Sequence, residues 1–342
     1  MNHLEIARQG AVKLASLVGP DGRFQYKYDG LTNLSLRGYN VLRHSGCIWA
    51  LHQIYGALGD KTLIEASMRA VHWLLRNRIQ QVDDTRICVV QNGSAKLGGA
   101  ALAIVALYDA DYIPTQHRAA LIRALAEYIC SQNVGNGRFI HKIDARTGEP
   151  SMFRSDYYTG QSLLALVKAF KITEDFEYLR VAGSSIEALC ASEYGVVQQN
   201  HWMMYALEEL SHYLDDIALI RYAEKICQQI IDDDSYRHRG QSTPIACRTE
   251  ALLSLCRMYD RGTPVRRELA QRAIYEAQVN LVLQANTRLG DGAFRAGGGS
   301  DHVRIDYLQH NVMTFSWFAE IWEKIPRRSS SGMEMATVRS AV

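Results

Sequence analysis

The sequence predicts an all-α fold in which six helical hairpins close into a ring. Six segments are apolar almost all the way round, six others are amphipathic, and the links between them are short in one direction and long in the other. A helix apolar on every face has to be buried on every face, whereas an amphipathic one covers a core with a single stripe. An inner layer of helices wrapped by an outer layer satisfies both.

The inner segments are "HSGCIWALHQIYGAL" from His44, "LGGAALAIVALYDA" from Leu97, "TGQSLLALVKAF" from Thr159, "HWMMYALEELSHYL" from His201, "RTEALLSLCRMYD" from Arg248 and "QHNVMTFSWFAEIW" from Gln309. Taken between His44, Gly98, Gly160, His201, Thr249 and Gln309, they recur at intervals of 41 to 62 residues. A period near fifty that holds two helices points to a helical array. The outer segments fall at residues 2–18, 62–79, 115–132, 175–192, 215–232 and 263–284. Thr62 and Glu65 have capping-box spacing at the start of the second. Thr263 followed by Pro264 reads as the N-cap and first helical position of the last.

Inner-to-outer links are as short as "GDK" (59–61), "YIP" (112–114) and "RG" (261–262), while the outer-to-inner links 19–39, 80–96, 133–156, 193–200, 233–247 and 285–305 are long. Three of the long links carry related turns, "DGRF" (21–24), "NGRF" (136–139) and "DGAF" (291–294), each expected to form a short hairpin. Long loops gathered on one face of a compact scaffold are where function usually sits. "RAGGGSD" (295–301) lacks the lysine and the strand-to-helix setting of a phosphate loop, and is expected to be a mobile flap. No break in composition divides the chain. Residues 1–326 are therefore expected to form one domain, and the small polar residues 327–342 a disordered tail.

A formal charge of +2 over 342 residues gives no reason to expect nucleic acid or an acidic membrane as partner. No run reaches membrane-spanning length, and "MNHLEIARQGAVKLASLV" mixes charged with apolar residues where a secretory signal has a continuous apolar stretch. Seven scattered cysteines without a CxxC fit reduced thiols, so a cytoplasmic protein is expected. Nothing indicates an oligomeric state.

Polar residues crowd the long-loop end of nearly every inner segment. The first offers Arg37, Tyr39, Asn40, Arg43 and His44, and the second Gln91, Asn92 and the pair Gly98–Gly99. The third offers Arg154, Asp156, Tyr157, Tyr158 and Gln161, and the fourth His201 and Trp202. Arg248, Thr249 and Glu250 stand at the fifth, and Arg304, Asp306, Tyr307, Gln309 and His310 at the sixth. In a closed ring these ends converge on one cavity. Aromatic faces beside planar polar groups suit a sugar, and helix N-termini with several arginines favour a carboxylate or phosphate on it. Plainer roles compete. Arg248 and Glu250 could pair within the wall, Asp156 could cap a helix, His44 and His310 could be satisfied core histidines, and the tyrosines could simply pack.

Over residues 1 to about 325 this organisation resembles the (α/α)6 toroid shared by six-hairpin glycosidases, N-acylglucosamine 2-epimerases and several polysaccharide lyases. "YNVLRH" (39–44) and "RIDYLQH" (304–310) are similar to the tyrosine, arginine and histidine clusters in the C-terminal helical domain of glucuronyl C5-epimerases; the β-rich N-terminal region of those enzymes is absent. The lanthionine cyclase toroid has the same shape. Its zinc would require two cysteines and a histidine, for which Cys47, Cys247 and His310 are available, but "HSGC" does not match its cysteine-histidine-glycine motif. The cysteines are therefore read as small apolar packers, and no metal or other cofactor is expected.

The resemblance and the inventory together imply a carbohydrate-active enzyme whose ligand is an acidic, uronate-type saccharide. A glycosidase would need two of Asp156, Glu250 and Asp306 across the scissile bond. An epimerase or lyase would need arginine against the substrate carboxylate and Tyr157 or His310 to move a proton. The balance of residues favours the second. A non-catalytic glycan- or peptide-binding toroid is the third reading.

Overall fold

The computed structural model describes residues 1–214, 216–322, 324 and 325. The tail expected from residue 327 lies outside the described residues. Within them, twelve helices of ten residues or more alternate between two concentric layers. The outer ones are α1 (His3–Ser16), α3 (Lys61–Arg78), α5 (Thr115–Ser131), α7 (Phe176–Ala191), α9 (Ile217–Asp232) and α12 (Arg267–Ala285). The inner ones are α2 (Val41–Leu58), α4 (Leu97–Tyr108), α6 (Tyr158–Thr173), α8 (His201–Leu210), α11 (Ser242–Asp260) and α13 (Ile305–Ile321). A single turn, α10 (Ser235–His238), lies in the fifth long link. This is the expected (α/α)6 toroid.

The inner ring closes by contact. α2 packs on α4, α4 on α6, α6 on α8, α8 on α11, α11 on α13, and α13 returns to α2. Every residue of α4 from Leu97 to Leu107 is buried, which is what its all-round apolar sequence demands. The layer is tight enough that Gly160 is obligatory in size. A Cβ there would stand 2.7 Å from the backbone nitrogen of Met203 and 2.8 Å from the carbonyl carbon of Trp202, so α6 and α8 touch backbone to backbone.

Because each inner helix is entered from a long link, all six inner N-termini face the same end. Two small sheets frame that end. β1 (Lys27–Asp29), β7 (Ser300–Arg304) and β6 (Arg295–Gly297) form one; β2 (Ile79–Gln81), β3 (Ile87–Gln91), β4 (Ser94–Lys96) and β5 (Lys142–Asp144) form the other. The antiparallel pairing of Lys27 with Arg304 and Tyr28 with Val303 ties the first link to the last. The three related turns are all present: Val18 bridges Phe24, Asn133 bridges Phe139 and Arg288 bridges Phe294. Each turns on a glycine at positive φ (Gly22, Gly137, Gly292) and buries its phenylalanine.

Four local expectations change. The second outer helix is capped by Asp60, whose carboxylate accepts from the Thr62 amide at 3.0 Å, so Thr62 lies inside the helix. α12 starts at Arg267, because the Arg266 amide and Nε both donate to Glu224 of α9, at 2.7 and 2.9 Å, and hold Arg266 extended. α11 starts at Ser242, six residues ahead of Arg248, with Pro244 in the first turn where its missing N–H leaves no bond unmade. The glycine-rich stretch at 295–301 is the β6–β7 hairpin, held also by the Gly298 amide on the Gly240 carbonyl at 3.0 Å.

Among the described residues, aromatic side chains from opposite helices meet inside the ring. Trp49, Trp202, Tyr205 and Trp317, from α2, α8 and α13, meet on the axis with ring centroids 5.1 to 6.3 Å apart, and none is more than 5% exposed. Gly160→Ala should lower stability by about 1–3 kcal/mol through overpacking of α6 on α8. Thermal unfolding checks this, and an unchanged midpoint would mean that the two helices separate without cost.

Candidate functional site

A cavity of about 600 Å³ opens at the N-terminal end of the inner ring. Asn40, Arg43, Tyr157, Tyr158, Gln161 and His201 line it, together with Trp202, Arg304, Asp306, Gln309 and His310. The helix mouths therefore do converge. A larger cavity of about 870 Å³ lies at the opposite end, around His52, Asp109 and Trp317, and takes none of the residues nominated from the sequence.

Other nominated residues lie elsewhere, and helix register explains why. His44 is completely buried and faces the outer layer, where its Nε2 lies 2.9 Å from the Ala70 carbonyl of α3. A carbonyl can only accept, so Nε2 carries the proton and Nδ1 accepts from the Tyr39 hydroxyl at 2.7 Å. Burial lowers the His44 pKa to about 4, keeping the ring neutral. Both residues are wall, packed with Trp73. Arg37, Arg154 and Asp156 are exposed. The Asp156 side chain does not cap α6; its carbonyl is instead pinned by Tyr194 Oη at 2.9 Å and Asn200 Nδ2 at 2.5 Å.

Arg248 and Glu250 stand behind the cavity lining, two turns into α11. Arg248 Nε donates to Gln199 Oε1 at 2.8 Å and its guanidinium lies 5.5 Å from the Tyr236 ring. Glu250 is fully buried, and both of its oxygens face His310 Nδ1, at 2.8 and 3.1 Å. The alternative pairing of Arg248 with Glu250 does not form; Glu250 pairs with His310. Burial raises the Glu250 carboxyl. Burial alone would lower the His310 imidazole, but Cys247 and Glu250 beside it raise it well above its ordinary value. With Nδ1 committed to Glu250, Nε2 is the His310 nitrogen left for chemistry.

On the rim, Asp306 serves two cations. Arg304 meets it with Nε at 2.5 Å and Nη2 at 2.9 Å, and Arg43 with Nε at 3.0 Å. One carboxylate between two guanidiniums leaves the rim net positive. Asp306 is also the one carboxylate among the described residues lining the cavity. Tyr157 is partly exposed, its ring 5.5 Å from that of His201, and its enclosure raises the phenol so that it stays protonated at neutral pH. His201 is 3% exposed, its Nε2 has no hydrogen-bond partner, and burial with His310 and Arg248 nearby lowers it well below its ordinary value.

Several lining residues escaped the sequence reading: Gln241, Thr243 and Pro244 at the early start of α11, and His302 of β7, whose Nε2 lies 2.8 Å from Tyr307 Oη. "STP" at 242–244 was the available signal, a serine and a proline placed as at a helix start. Cys247, read from the sequence as a small apolar packer, lines the cavity. One donor atom each from His201, Cys247, Glu250 and His310 lie within 4.8 Å of one another, all four residues buried.

Asp306→Asn should leave two guanidiniums without a counter-charge and lower the unfolding free energy by about 2 kcal/mol. That is less than the ~3–5 kcal/mol of a fully enclosed pair, because Arg43 keeps contact with water. Urea denaturation measures it, and a wild-type midpoint would show that the carboxylate does not hold the rim together.

No protein-family model matches the chain, and no curated protein matches its sequence. Solved structures do match in fold. A D-mannose isomerase superposes with a TM-score of 0.71 at 12% identity, covering 93% of this chain and 97% of that one. The cellobiose 2-epimerase of Bacillus thermoamylovorans gives 0.71 at 12% identity over 93% and 98% of the two chains. An unsaturated glucuronyl hydrolase specific for heparin gives 0.68 at 11% identity over 95% and 99%. The chain shares the (α/α)6-toroid fold of these proteins.

Proposed function

We propose that the protein is a carbohydrate-active enzyme that moves a proton on an acidic, uronate-type saccharide, by epimerase or lyase chemistry. The observation that carries this is the buried Glu250–His310 pair beside a rim on which two arginines share one carboxylate. Glu250 fixes the ring of His310 and raises its proton affinity, so Nε2 is a strong base toward the cavity once the ring has given up its proton. Arg43 and Arg304 carry the positive charge that would meet the sugar carboxylate and the negative charge growing on it as the neighbouring C–H bond breaks. Tyr157, still protonated, is a donor for the return of a proton from another side. Reprotonation inverts the carbon; loss of the substituent one carbon further on makes the reaction an elimination. Named relatives in fold agree in kind, since they include sugar epimerases and a glucuronyl hydrolase.

The glycosidase reading has less support. It requires two carboxyl groups across a bond, and the three candidates are dispersed: Asp306 is locked between arginines, Glu250 lies behind His310, and Asp156 is exposed away from the lining. Seven cysteines without disulfides suit a reducing compartment, and no described helix is long and apolar enough to cross a membrane.

In heavy water, a glucuronate-containing oligosaccharide should exchange the proton at C5, and His310→Gln should slow the exchange by about 10²–10⁴-fold. Absence of exchange with the intact protein and a bound uronate would leave a binding toroid. Arg43→Met should weaken a uronate by about 1.5–3 kcal/mol and a neutral sugar of equal size much less. Calorimetry measures both, and equal losses would remove the acidic ligand from the reading.

A further inference from the structure

Four metal-ligating side chains converge where three neighbouring inner helices meet. His201 opens α8, Cys247 and Glu250 stand one turn apart on α11, and His310 lies in the second turn of α13. α11 packs on both α8 and α13. The spacing of three residues puts the thiol and the carboxylate on one face of α11, aimed between its neighbours. A nitrogen of each imidazole, the Cys247 sulfur and a Glu250 oxygen lie within 4.8 Å of one another. The proton-transfer scheme uses Glu250 and His310 and gives no task to His201 or Cys247. Yet His201 is 3% exposed with Nε2 unpartnered, an expensive arrangement for a buried nitrogen.

We propose that His201, Cys247, Glu250 and His310 form a four-donor site for Zn²⁺. Two imidazoles, a thiolate and a carboxylate are a zinc donor set once the ion has displaced the protons of His310 and Cys247, and tetrahedral coordination would place the four atoms about 3.3–3.8 Å from one another. The widest separations, up to 4.8 Å, would close by roughly an ångström, within the reach of side-chain torsions. The sulfur argues against Mg²⁺ or Ca²⁺, which take oxygen ligands. Thiolate and carboxylate together balance the ion's charge, so the loaded site is neutral where it is most enclosed. His201 enters with a lone pair free, and its lowered proton affinity keeps it in the ligating form.

The inference goes beyond the proposed function and has a consequence for it. A zinc ion and the working proton compete for the same Glu250–His310 pair. The loaded protein would therefore be inactive in proton transfer, and removal of the ion would release the base.

Titration of the full-length, chelator-treated protein with Co²⁺, followed by absorbance, tests the site without any substrate. One equivalent should give the strong visible bands of a tetrahedral ion and a near-ultraviolet thiolate charge-transfer band, both removed when Zn²⁺ displaces the cobalt. Cys247→Ser should lose the charge-transfer band. His201→Gln should weaken binding by about a hundredfold or more, beyond what loss of an outer-shell partner costs. Cys130→Ser, in an outer helix, should change nothing. Circular dichroism establishes that each variant folds, and if Cys247→Ser does not, His201→Gln decides. Weak octahedral bands, or a charge-transfer band that survives in Cys247→Ser, would overturn the proposal. Binding of wild-type strength in a folded His201→Gln would overturn it too. C5 exchange by metal-free protein that binds no cobalt would leave the function standing and remove the metal site. Cobalt binding without exchange in the metal-free protein would do the reverse.

Discussion

The inner helices are constrained by their own composition: apolar on nearly every face, they can be stable only with neighbours on every side. Six of them in a ring, covered by six amphipathic ones, meet that demand. The polar atoms of the inner layer are thereby pushed to its two ends. At one end lie six helix N-termini with unsatisfied amides and partial positive charge. A site rich in carboxylates would be at odds with this field less than a site rich in bare cations, and the rim resolves the matter by placing Asp306 between Arg43 and Arg304. The same three residues join the first repeat to the last, as the β1–β7 pairing does on the outside. Closure of the ring and construction of the site are one event.

Depth separates roles within the site. Residues at the first turn of an inner helix, such as Tyr157, His201 and Asp306, meet the cavity directly. Residues two turns down meet one another. Glu250 is two turns down because α11 begins at Ser242, and its enclosure makes a short contact with His310 worth more than it would be in water. Cys247, one turn above Glu250 on the same face, then falls between His201 and His310.

The architecture was legible in the sequence because it rests on periodicity, which a single chain displays. α4, α6 and α8 start within one residue of the apolar segments that mark them, and α2 and α13 start three and four residues earlier, inside the polar mouths. What was not legible depends on rotation about a helix axis. His44 and His310 each follow a polar cluster and precede an apolar run, yet one turns outward to the Ala70 carbonyl and the other inward to Glu250. No spacing rule separates them. Asp156 looked like a cap, and the capping of α8 by Asn200 and the anchoring of the Asp156 carbonyl by that same side chain depend on a loop conformation, with Gln199 at positive φ, that composition does not encode. Cys247 was weighed as a zinc ligand and set aside for want of a local cysteine-histidine-glycine motif, because its neighbours His201 and Glu250 come together only through the packing of α8, α11 and α13.

The aromatic cluster of Trp49, Trp202, Tyr205 and Trp317 turns the ring into a cup. Trp202 is part of the floor of one cavity and Trp317 part of the lining of the other, so the two ends of the toroid are chemically separate rooms. Traffic through a cup differs from traffic through a tunnel. A long polymer cannot be threaded and advanced past a cup's floor; only a chain end, or a molecule short enough to fit whole, reaches the bottom. What leaves must retrace the path by which it came, so departing product and arriving substrate queue at one door. Whatever binds at this end enters and leaves by the mouth that the two small sheets frame.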